Sequence, residues 1–102
     1  MNETLPLTLA QNIAAIAQEA HDAIKTEPAK TAQFVRTARQ KLAEDVQRIE
    51  KLSNDRDKKA HTDLAGYTEG FLRLAESFAS SGRYEPLLGS AFDHLQRLSQ
   101  ST

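Results

Sequence analysis

The stretch "FVRTARQKLAEDVQRIEKL", residues 34–52, decides the fold class. Val35, Ala38, Leu42, Val46, Ile49 and Leu52 recur every three or four positions, the period of a helix with one apolar face. It contains no glycine or proline to interrupt that helix. Read in sevens, Val35, Leu42 and Ile49 share one position, while Ala38, Asp45 and Leu52 share the other. Asp45 spoils a strict coiled-coil seam, so the stripe is expected to be the inner face of a globular bundle. Glu44 and Arg48 stand four apart as a surface ion pair, worth a few tenths of a kcal/mol.

The same period extends in both directions. Pro28 is a favourable helix start, which makes the second helix run from about Pro28 to Ser53. Before it, Leu9, Ile13, Ile16, Ala17, Ala20 and Ile24 predict a first helix over roughly 9–25, with Thr8 as N-cap. After it, Leu64, Tyr67, Phe71, Leu74, Ala75 and Phe78 predict a third helix over about 58–80, ended by Ser80-Ser81-Gly82. Glu85-Pro86 opens a short fourth helix carrying Leu88, Ala91, Phe92, Leu95 and Leu98. No segment alternates at period two, so no strand is expected. Short connections favour antiparallel neighbours, and the expected fold is a single all-α domain over residues 1–102, a small antiparallel four-helix bundle. Leu42, Ile49, Phe71, Phe78 and Leu95 are its expected core.

Composition narrows the function classes. The chain has no cysteine, which excludes disulfides and thiolate metal sites. Its formal net charge of −1 supplies no overall field toward nucleic acid or anionic lipid. Charge is nevertheless segregated. Residues 1–27 hold Glu3, Glu19, Asp22 and Glu27 against Lys25, whereas residues 28–52 hold six bases against Glu44, Asp45 and Glu50. Such a split suits either an acidic partner or a solvated helix face. The start of the chain lacks a basic segment before its apolar run, and no run approaches the ~20 apolar residues of a membrane span. A cytoplasmic protein without membrane contact is expected.

Candidate chemistry gathers in "DRDKKAHTDL", residues 55–64. His21, His61 and His94 lie far apart, and none belongs to a metal-binding pair on one helix face, so no metal or cofactor is implied. His21 and His94 are expected at the surface or its boundary. With Asp57 as N-cap of the third helix, Arg56 and His61 meet side to side at the positive end of the helix dipole, beside Lys58 and Lys59. That arrangement could hold a phosphate and move a proton. With the helix starting at Asp55, the two side chains stand about 140° apart around the axis. The plainer reading is a solvated turn in which Asp57 caps, the lysines are exposed and His61 lies at the boundary.

"RDKKAH", Arg56 to His61, resembles the R-x4–6-H signature of HEPN domains, all-helical modules often found as ribonucleases in toxin–antitoxin and abortive-infection systems. The resemblance implies a dimer that cuts RNA without metal through the ribose 2′-hydroxyl, with His61 as acid/base and Arg56 as phosphate stabiliser. It covers about ten residues, and two helices follow the motif where the family usually has it opening the last long one.

Two function classes remain. One is a non-catalytic helical module that binds another protein, as an adaptor, inhibitor, chaperone or immunity protein does, or a second copy of itself. The other is a HEPN-type ribonuclease with RNA as substrate. Gly66 and Gly70, four apart on the third helix, suggest close approach of a neighbouring helix, either within the chain or from a second protomer. With the near-heptad stripe of the second helix, they make a homodimer the expected assembly.

Overall fold

A computed structural model describes residues 4–101 as four helices, with no strand among those residues. They are α1 (Thr4–Thr26), α2 (Thr31–Ile49), α3 (Asp55–Ser77) and α4 (Pro86–Ser101), with single 3₁₀ turns at Pro28–Lys30 and Ala79–Ser81. The all-α class expected from the periodicity is what the chain forms.

Helix ends differ from the sequence expectation for local reasons. α1 begins at Thr4, so Thr8 lies inside it. Pro6 is tolerated there because the first four N–H groups of a helix have no intrahelical partner. Pro28 starts a 3₁₀ turn, and α2 proper begins at Thr31, whose hydroxyl donates to the Pro28 carbonyl at 2.6 Å. α3 starts three residues earlier than expected, since the Asn54 side chain accepts from the N–H groups of Arg56 and Asp57 at 2.8 and 3.2 Å. Asn54, not Asp57, is the N-cap. At its other end α3 stops at Ser77, three residues short of the expected end, with Phe78 as C-cap; Gly82, in the left-handed region at φ 67°, closes the 3₁₀ turn that follows.

α1 and α3 each pack against the other three helices, and the whole measures 43 × 22 × 18 Å. The core joins Leu9, Ile13 and Ile24 of α1 to Val35 and Leu42 of α2, Leu64 and Leu72 of α3, and Leu88 and Leu95 of α4. Four of the five expected core residues, Leu42, Ile49, Phe71 and Leu95, are buried. Phe78 is only half-buried, because it sits at the C-cap of α3 where the neighbouring helices no longer cover it.

Two further corrections concern register. On α2 the buried stripe continues through Asp45, and Val46, one residue later and about 100° around the axis, is exposed. Asp45 tolerates burial because Arg48, one turn on, pairs with it. That pairing also takes Arg48 away from Glu44. On α3, Tyr67 is 51% exposed while Thr68 is fully buried and donates to the Leu64 carbonyl at 2.9 Å.

The basic excess of residues 28–52 is answered largely within the chain. Arg39 reaches across to α3, donating to Glu76 at 2.9 Å and pairing with Glu69 at 3.1 Å. Lys41 pairs with Glu19 of α1 at 3.1 Å, and Lys30 with Glu27 at 3.1 Å. The segregated charges thus dock α2 onto its neighbours.

Candidate functional site

Arg56 and His61 both lie on α3, and the helix start at Asp55 decides their relation. Arg56 occupies the first turn and is exposed; His61, five residues on, turns inward and is 1% exposed. The two side chains therefore do not share a face. His61 Nδ1 donates to the Asp57 carbonyl at 2.7 Å, and since a carbonyl only accepts, the proton is on Nδ1. Lys59 pairs with Asp63 at 3.1 Å on the solvent side. Burial of His61 was readable in the spacing: it stands three before Leu64 and seven before Thr68, on the stripe that α3 buries.

A second histidine sits at the junction of α1 with α4. His21, expected near the surface, is 8% exposed, because it follows Ala17 by four and precedes Ile24 by three on the inner stripe of α1. Its ring stacks on Phe92 of α4, with centroids 4.5 Å apart and planes at 12°. Phe71 of α3 lies at 6.1 Å, and Tyr84 of the α3–α4 connection meets it edge-on at 5.5 Å. Nε2 and the Tyr84 hydroxyl are hydrogen-bonded at 2.6 Å. Gly89 leaves room for that hydroxyl, since a Cβ there would stand 3.0 Å from it.

The other ring nitrogen, Nδ1, is buried without a hydrogen-bond partner, and the nearest carboxylate oxygen, of Asp22, is 3.9 Å away. Burial pushes the His21 pKa below its ordinary value, opposed by Asp22 and Asp93 and assisted by Lys25. Burial likewise raises the Tyr84 phenol. No alternation or motif marks this cluster; its four aromatic rings come from four separate parts of the chain.

The third feature is the outer face of α3 and α4. Gly66 and Gly70 are exposed, and a Cβ on either would meet nothing within 4 Å, so among the described residues no helix of this chain makes the close approach that their spacing suggested. Beside them a cleft of about 180 Å³ runs between α3 and α4, lined by Tyr67, Gly70, Phe71, Ala91, His94 and Leu95. The Tyr67 ring stands over it, edge-on to His94 at 5.6 Å. Leu87, four residues before Ala91, is 55% exposed. Among the described residues, no group of three His, Asp or Glu side chains is placed to hold a metal ion. No helix is long and apolar enough to cross a membrane among them.

Compared with known proteins, the chain matches no family model, no curated protein and no solved structure.

Proposed function

We propose that the protein is an antiparallel four-helix bundle that works by binding protein through the outer face of α3 and α4. Side-chain pairs between successive helices support the antiparallel arrangement. Glu19 lies beside Lys41, Arg39 beside Glu69 and Glu76, and Tyr67 beside His94, while Phe71, further along α3, shares its cleft with the earlier Ala91.

One observation carries the functional reading: Tyr67, which lines the open cleft, and Leu87, one turn before the Ala91 of its α4 wall, present large apolar surface to solvent. Burying such side chains against a partner gains about 1.5–3 kcal/mol each, and Tyr is enriched where binding energy concentrates. Single exposed apolar residues are ordinary on a surface; here they stand beside a cleft with apolar walls.

The ribonuclease reading asks something different of the chain. Arg56 and His61 would have to converge on one phosphate, and His61 would have to leave the Asp57 carbonyl. A cleavage assay separates the two. The purified protein, incubated with single-stranded RNA in EDTA, is expected to leave it intact. Fragments with 2′,3′-cyclic phosphate ends, abolished by Arg56→Ala, would replace the binding reading with the catalytic one.

A further inference from the structure

We infer that the partner on this face is a second copy of the chain, laid antiparallel across α3 about a two-fold axis level with Thr68. The inference rests on the reading of the α3–α4 face as a binding surface and adds its occupant. What identifies the occupant is the charge pattern. Lys59, Asp63, Gly66, Gly70, Arg73 and Ser77 follow one another at spacings of four and three, so they form one straight stripe on α3. All six are exposed, on the side of the helix opposite buried Thr68.

Parallel pairing of two such stripes sets Lys59, Asp63 and Arg73 each against its own like charge. An antiparallel crossing centred between Gly66 and Gly70 sets Asp63 against Arg73 of the partner subunit, and does so twice. In the same register Gly66 faces Gly70 of the partner subunit, so the backbones can approach where they cross. Both charged groups keep capacity for this. Asp63 accepts from Lys59 through one oxygen, and Arg73 uses only Nε toward Glu69 at 3.4 Å.

The two-fold axis also stacks the cleft and Tyr67 of one copy over those of the other, because α4 lies on the same side of α3 in both. A molecule 43 × 22 × 18 Å offers sides of the size that a stable interface needs, about 800 Å² per partner. The arrangement is isologous and closes on itself as a dimer.

Charge exchange tests it. Asp63→Arg sets arginine against arginine twice, and Arg73→Asp sets aspartate against aspartate twice. Each variant alone is expected to weaken self-association about tenfold, since two symmetric pairs are lost together. Mixed, they restore both pairs, one with its charges exchanged and one as in the natural chain, because each arginine of the Asp63→Arg chain then faces an aspartate of the Arg73→Asp chain. The expected result in sedimentation equilibrium over low to high micromolar concentration is a dimer for the natural sequence, a monomer–dimer midpoint about tenfold higher in concentration for each variant, and a heterodimer for the mixture at the natural midpoint. Helical circular dichroism with a cooperative melt shows that both variants are folded.

A folded pair that fails to associate on mixing overturns the proposed register. A monomeric natural protein overturns the second copy as occupant while leaving the face open to another protein. A dimer unaffected by Tyr67→Ser and by both charge variants places self-association elsewhere, and removes the evidence for the face as well.

Discussion

His61 is held by its own helix, through the carbonyl four residues back, whereas His21 is held by a tyrosine sixty-three residues away. Both rings are buried, yet they depend on different things. The bond from His61 to the Asp57 carbonyl forms wherever α3 forms, and the buried ring also fills space in the core. The His21 bond exists only once the α3–α4 connection has docked on α1, and one nitrogen of the ring finds no partner even then. A hydrogen bond made within one helix needs only that helix; one made between distant elements also needs their docking, and an imidazole held that way responds to protons.

The largest effect that would sharpen this contrast is at His61. Truncation to alanine is expected to cost about 2–5 kcal/mol, the range for emptying a buried site of this size, as read by urea denaturation. Arg56→Ala, at the other end of the same motif, is expected within about 0.5 kcal/mol of zero because the side chain is exposed. Equal effects at the two positions would mean that His61 is not buried as described.

Next in size is a pH effect that belongs to His21. Its folded-state pKa lies below the ordinary value of 6.5, so the unfolded chain takes up the proton first as pH falls. The stabilisation is therefore complete above pH 6.5 and is lost as pH falls from there through the folded pKa. The slope in that window is at most about 1.4 kcal/mol per pH unit for one proton. Melting followed from pH 8 to pH 5 should show this loss, and His21→Phe should flatten it; a slope unchanged in that variant would assign the titration elsewhere.

The smallest difference separates two candidate caps. Asn54→Ala is expected to destabilise α3 by about 1 kcal/mol, because two backbone N–H groups lose their acceptor. Asp57→Ala removes only a negative charge near the helix start, worth about 0.3–1 kcal/mol. Chemical denaturation of the two variants in parallel would show which residue caps; a larger loss at Asp57 would move the helix start to where the sequence alone had put it.

That three-residue shift explains why the candidate site was only half legible. "DRDKKAH" identifies a charged helix start, but whether Arg56 and His61 meet depends on whether Asn54 or Asp57 takes the cap. Both are good cap residues in favourable places, and the spacing fits either. The His21 cluster was less legible still. His21 shows a buried spacing on α1, but nothing near it in sequence announces Tyr84, Phe71 or Phe92.

What the sequence determined by itself is the set of properties that live within a few residues. These are the helical class, the four segments, the left-handed turn at Gly82 and the start at Pro86, because hydrogen bonds four residues apart and backbone angles are local. The tertiary structure decided which of two adjacent positions faces inward, Asp45 over Val46 and Thr68 over Tyr67, and which distant partner a buried nitrogen receives. Periodicity locates an apolar stripe only to within one residue, about 100° of helix. The neighbouring helices, by the surface that they cover, choose the rest.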